Sequence, residues 1–406
     1  MLNARNAQIY LWGLLIYCGI FCGGASLAQQ NIKAAAKKNK MRNESFRAQM
    51  LGLSSSLAEL VPYAFSNNMQ NWEKNQEKIK QEIIKLKSFA HNVDSIKTMQ
   101  VDDPALTFVA RKLIDDLELS IVLLNKNLHI AAKNNLRTVT EYCIACHSQK
   151  PSKSYQAPYI EPINFEKFST LDKANYLAAT RQFIEAKKQY EYLLVDKNYA
   201  KNKPDEWANA MKKLLAIVVR IEERPGLAME FISRVRDVDT IPAEFKQATL
   251  VWRNSAKQWR EHHDDKSIKT RQQKFNKVRD ILVASKVIVS QNKNILDADL
   301  IERLRASKYL HEILSDRPRD AIFGESLYLA GVVNESLQEI SFSTLHYAYY
   351  EACIRFQPYT EMARKCFAAY GKSHAADFLD KKNAVHSQLR DLESLTTQKL
   401  QDNKVK

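Results

Sequence analysis

Cys143, Cys146 and His147 stand in the run Cys-Ile-Ala-Cys-His. Two thiols three positions apart, with an imidazole next to the second, are the groups that hold a c-type haem: sulfur to the porphyrin as thioethers, ring nitrogen to the iron. On a helix the three positions are i, i+3 and i+4, so their side chains leave from one face. At this composition the run is expected by chance roughly 0.002 times, so coincidence is a weak account of it. The bland alternative is two packed cysteines beside an ordinary histidine.

The N-terminus reads as an export signal. Arg5 supplies the positive end, Ile9 to Ala25 is almost wholly apolar, and Ser26-Leu27-Ala28 offers small residues for cleavage. The apolar stretch is short for a spanning helix, which needs about 20 residues. Residues 1–28 are therefore expected to be a signal peptide and the rest a periplasmic protein, with an uncleaved anchor as the alternative. The whole chain carries a net charge of +15, and losing Arg5 leaves +14. The lysines and arginines are interspersed with acids and form no basic tail, which predicts a solvated surface and no nucleic-acid partner.

Four of the nine glycines, Gly13, Gly19, Gly23 and Gly24, fall in the leader. The remainder is far below the usual share of about 7%. Tight turns between strands need glycine at positive φ. The mature chain is thus predicted to be all-α. Pro151, Pro158 and Pro162 interrupt helix and mark a linker over 151–163, between a unit at 29–150 and a longer helical region at 164–395, with a polar tail at 396–406.

Four helices are predicted ahead of the linker. The first, at about 40–65, sets Phe46, Met50, Leu53, Leu57 and Leu60 on one seam. The second spans about 69–92; the third starts at Asp102-Asp103-Pro104 and runs to about 128; the fourth spans about 130–148 and carries the Cys-x-x-Cys-His run near its end. Short connections make this an up-down-up-down bundle.

A four-helix bundle with its haem motif at the end of the last helix resembles the cytochrome c′ family. The first helix adds to the likeness: Phe46-Arg47-Ala-Gln-Met50-Leu51-Gly-Leu53 is similar to that family's opening pattern. The resemblance covers about residues 35–150. It implies a covalently bound haem c with Cys143 and Cys146 as thioethers and His147 as axial ligand. It places Leu51, four after Arg47, over the open face of a five-coordinate iron, and Arg47 beside a haem propionate. Met50 is the alternative sixth ligand. Family members commonly have an aromatic and a basic residue three and four places after the histidine; here Lys150 and Pro151 stand there. The implied roles are electron transfer with a redox partner protein and binding of NO or CO, with a homodimer formed through the bundle.

After the linker, Ala174, Leu177, Ala186, Tyr190 and Leu193 follow the small-and-large spacing of a tetratricopeptide unit. Leu327, Ala330, Gly331, Tyr350, Cys353 and Pro358 give a second match, and 359–371 reads as the next helix. Such an array offers a surface for a protein or peptide partner, and this makes a scaffold with a haem sensor the alternative function. Cys353 and Cys366 flank the turn at Pro358 almost symmetrically and are candidates for a disulfide, or for two buried thiols. His262-His263-Asp264-Asp265 reads as solvated surface and His129 as a loop residue. No phosphate loop, zinc motif, nucleophile elbow or paired acid and base appears, so no enzymatic activity is expected.

Overall fold

A chain with only five glycines after residue 28 must end most helices without the residue that most readily takes a left-handed cap. The computed structural model describes residues 44–65, 69–98, 104–149, 165, 168–262, 267–291, 297–315, 320–337, 344–377 and 382–397. Among these, positive φ occurs at Asn127, Arg181, Glu223, Asp297 and Tyr359, and at no glycine. The leader at 1–28, the proline-rich segment at 151–163 and His263, Asp264 and Asp265 lie outside the described residues.

Regular structure among the described residues is helical throughout. The first elements are α1 (44–65), α2 (Met69–Lys74), α3 (Gln76–Thr98), α4 (Pro104–Asn125) and α5 (His129–His147). The second predicted helix is split in two at Asn75. Its side-chain amide donates to Asn71 O at 2.7 Å, a local bond that competes with helical pairing. α4 stops three residues short of the predicted end, because Asn127 takes φ 57° and Leu128 N–H turns back to Leu123 O at 2.9 Å.

The remaining elements are α6 (Thr170–Ala179), α7 (Phe183–Leu194), α8 (Lys197–Asn202), α9 (Pro204–Ala216), a π-helical segment (Ile217–Ile221), α10 (Pro225–Arg236) and α11 (Ala243–Glu261). They continue as α12 (Arg271–Gln291), α13 (Leu300–Ser315), α14 (Ala321–Glu335), α15 (Leu345–Phe356), α16 (Glu361–Asp377) and α17 (Lys382–Thr397). No described helix is long and apolar enough to cross a membrane.

The chain divides into two compact units, Met1–Gly52 and Leu53–Lys406. Helices from both sides of the proline cluster thus share the second unit. Within it α3 packs on α4 and α4 on α5. The part of α1 that begins at Leu53 meets α3 through Lys78 and Glu59 at 3.1 Å, and α5 through Arg137 Nε donating to Ala64 O at 3.0 Å. Past α5, neighbours in sequence pack as hairpins: α6 on α7, α10 on α11, α12 on α13, α14 on α15. α15 also lies against α4.

The small-and-large positions are where these hairpins close. Ala174, Ala186 and Tyr190 are fully buried between α6 and α7. Gly331 on α14 faces the Tyr350 ring on α15 so closely that a Cβ there would lie 2.2 Å from Cε1. The surface reading of the basic residues needs correction at five places, one of them Lys133 on α5 and the other four after the proline cluster. Lys212, Lys213, Arg220 and Lys308 are buried, and each has an acid or hydroxyl partner: Lys212 with Asp297, Lys213 with Glu141, Arg220 with Ser307, Lys308 with Glu223. Isolated charges do not survive burial, so a lysine inside a helical array needs an acid brought by another helix.

Candidate functional site

α5 is held on four sides by four different elements. Toward α4, the Tyr142 hydroxyl donates to Asp116, and Asn135 Nδ2 donates to Asp116 O at 2.6 Å and Ser120 Oγ at 2.9 Å. Toward α1, Arg137 bonds Ala64 O and its guanidinium lies over the Phe65 ring, 5.5 Å from the centroid. Toward α9, Glu141 pairs with Lys213 at 2.7 Å. Toward α6, His147 Nδ1 lies 2.7 Å from Ala179 O.

These anchors fix the helix's rotation. Tyr142, Ile144, Ala145, Ser148 and Gln149 are buried, while Cys143, Cys146 and His147 are half-buried. The three motif side chains therefore share the less enclosed stripe of α5. Neither motif cysteine is in a disulfide. Burial, reinforced by the neighbouring Cys146 and Glu141, pushes the Cys143 thiol up to about 12. It stays protonated at neutral pH.

The partner of His147 follows from how α6 ends. Arg181 takes φ 63°, and the chain closes a Schellman motif: Thr180 N–H bonds Tyr176 O at 3.0 Å, Gln182 N–H bonds Leu177 O at 2.8 Å, and Arg181 N–H bonds Ala178 O at 3.1 Å. Those bonds serve three of the last four carbonyls of the helix. The fourth, Ala179 O, is the one that meets His147. A carbonyl only accepts, so Nδ1 must carry the proton, and in a neutral ring the lone pair then sits on Nε2. An imidazole ligand held through Nδ1–H to a carbonyl is the usual arrangement for metal binding through Nε2.

A polar chain extends this anchoring. Lys213 Nζ also reaches Asn175 Oδ1 at 3.2 Å, and Asn175 Oδ1 accepts from Tyr190 OH at 2.8 Å. α5, α9, α6 and α7 are thus joined by one buried network. An aromatic group lies on the same side: Phe65 and Phe168 rings are 6.1 Å apart, Phe165 and Phe168 5.4 Å, Phe165 and Tyr176 5.9 Å.

No family model, curated protein or solved structure matches this chain.

The structure brings Cys143, Cys146 and His147 together on one stripe. It joins Cys353 and Cys366 in a disulfide with a Cα–Cα distance of 6.3 Å. Arg47 is exposed, Met50 half-buried and Leu51 39% exposed; all three belong to the unit that ends at Gly52, and the motif belongs to the other. His129 is the first residue of α5 rather than part of the loop before it. His262 is exposed, with Nδ1 2.9 Å from Gln258 O of its own helix. Among the described residues no group of three or more His, Cys, Asp or Glu is placed to hold a bare metal ion. A haem iron asks the protein for only one axial donor, and the porphyrin supplies the rest.

Sequence reasoning missed Ala179 and Lys213. A backbone carbonyl has no residue-type signature. Lys213 sits in Lys212-Lys213 among apolar residues, and the clue to its burial is that Ala210, Ala216 and Ile217, three and four positions away on that face, are apolar.

Proposed function

We propose that the protein is a periplasmic c-type haem protein that carries electrons or binds a diatomic gas, NO or CO, and is not an enzyme. Cys143 and Cys146 would hold the porphyrin as thioethers, and His147 Nε2 would ligate the iron. The observation that carries this reading is the pairing of the Cys-x-x-Cys-His stripe with an imidazole already held through Nδ1. The donor set suits a haem: two thiols and a correctly protonated ring on adjacent turns, over a helix that four neighbours keep from rotating. When bound, the haem supplies a one-electron ferric/ferrous couple and an open coordination position.

The chain's own residues do the rest. Tyr142, Arg137 and Glu141 orient α5, and Ala179 sets the tautomer of the ligand. In this reading α1, α3, α4 and α5 are the four-helix bundle of a cytochrome c′-like unit, and the helices from α6 onward are a tetratricopeptide-like solenoid. His147 would be the protein's one ligand to the iron, which leaves a coordination position for a gas. A redox protein is the partner of the haem unit, which dimerises through its bundle.

Pyridine-haemochrome and visible spectra of the full chain, made in a host that matures c-type cytochromes, test this directly. A covalent haem c with a high-spin ferrous spectrum that changes at once with CO is expected. Colourless protein, or pigment that acidified solvent extracts, would refute the attachment, and a methionine-ligated low-spin spectrum would refute the five-coordinate iron.

A second reading has its own support. Most of the described helices follow α5, and they pair with small-and-large interfaces, such as Gly331 against Tyr350, which suit a partner-binding repeat region that electron transfer alone does not require. In that reading the array holds a protein or peptide and the haem reports redox state or gas. Pull-down with the haem-loaded full chain, ferric against ferrous, separates the two: a partner whose capture depends on the iron state favours the sensor.

A further inference from the structure

We infer that the helical region after the proline cluster, through the C-terminal end of α6, sets the tautomer and aim of His147 before any haem is attached. The acceptor is Ala179 O, and it comes from outside the helices that carry the motif. This rests on the proposed function for its purpose but not for its test.

Three observations converge. Ala179 O is 2.7 Å from His147 Nδ1, the geometry of a good hydrogen bond. The α6 cap uses Thr180, Arg181 and Gln182 N–H groups on Tyr176, Leu177 and Ala178, so Ala179 O is the carbonyl of the last turn directed away from its own helix. The position of α6 against α5 is fixed independently by Lys213, which ties Glu141 of α5 to Asn175 of α6. The carbonyl also lies at the negative end of the α6 macrodipole, which strengthens it as an acceptor. A ring held this way gains anionic character, favours ferric over ferrous iron, and lowers the midpoint potential.

The test begins with the haem-free full chain, Cys143→Ser with Cys146→Ser, labelled with [15N]histidine and with His147→Gln as the assignment control. His147 is expected in the Nδ1–H tautomer. An Nε2–H ring overturns the inference whether or not haem binds the parent protein. Installing the α-hydroxy analogue of threonine at 180 turns the Ala179–Thr180 peptide into an ester and weakens that carbonyl as an acceptor. The same exchange at 181 damages the cap equally but leaves Ala179 O an amide oxygen. The ring nitrogen signals of His147 should move with the ester at 180 and stay with the ester at 181; equal effects refute the inference. In the haem-loaded chain the ester at 180 should raise the midpoint potential and leave the haemochrome intensity unchanged, and an unchanged potential refutes the electronic link. Absence of haemochrome from the parent chain would remove the proposed function and leave the tautomer result to decide this one.

Discussion

Replacing Gly331 by alanine puts a methyl group where the Tyr350 ring already lies. The new Cβ would sit 2.2, 2.5 and 2.8 Å from Cε1, Cδ1 and Cζ, against an ordinary contact of 3.4 Å or more, so the ring must retreat by over 1 Å. It has little room. Tyr350 is fully buried, its hydroxyl donates to Glu335 Oε2 at 3.1 Å, and the Tyr328 and His346 rings stand 6.3 Å away. Overpacking of this kind costs about 1–3 kcal/mol. Losing the bond to a carboxylate adds about 1.5 kcal/mol. The better helix propensity of alanine returns about 1 kcal/mol. A net loss of about 2 kcal/mol is expected for Gly331→Ala, read as a lower urea midpoint by circular dichroism. The double variant Gly331→Ala with Tyr350→Leu should lose less than the sum of the singles, by about 1 kcal/mol or more. A single variant as stable as the parent, or an additive double, would refute the close-packed hairpin.

Four further outcomes are expected. Cys143 in the haem-free chain, with a thiol held up to about 12 against an ordinary 9.0, should be about a thousandth ionised at pH 9, where an unfolded thiol is half ionised, so iodoacetamide should label it far faster after denaturation. The folded state keeps this proton longer than the unfolded state, so the stabilisation is complete below pH 9 and is lost as pH rises from there toward 12; Cys143→Ala should flatten that fall in the urea midpoint. Lys213→Met removes a buried cation whose partner Glu141 keeps 37% side-chain exposure and can rehydrate, so a loss of about 1–2 kcal/mol is expected rather than the 3–5 of a fully enclosed pair. The Cys353–Cys366 disulfide closes a loop of 13 residues, so reduction should cost about 3 kcal/mol, and denatured, unreduced protein should show no reaction of either cysteine with a thiol reagent.

Helical class was readable because it depends on what the chain lacks. With so few glycines, hairpin turns of the primed types were not available, and long runs of Lys, Glu, Ala and Leu left one regular structure. The α6–α7 and α14–α15 contacts were readable for a related reason: where two helices meet, Ala186 and Gly331 are small and the buried Tyr190 and Tyr350 rings are large. Helix ends were harder. Asn127 and Arg181 adopt the left-handed conformation that composition assigns to glycine, and their neighbours' N–H bonds decide the stop. The site divides in the same way. Cysteine and histidine announce themselves by type and spacing, whereas Ala179 contributes a backbone oxygen that any residue would have offered. Lys213 was concealed because its acid lies 72 residues away in sequence.

The support of α5 also fixes an order of events. A chain that emerges from its N-terminus presents the Cys-x-x-Cys-His segment long before α6 and Lys213 exist to close around it. During that interval neither sulfur has the cover of the later helices. Once α6 and α9 arrive, both are half enclosed. On the proposed reading, loading before closure, on a nascent thread rather than a finished globule, is the order that this scaffold favours.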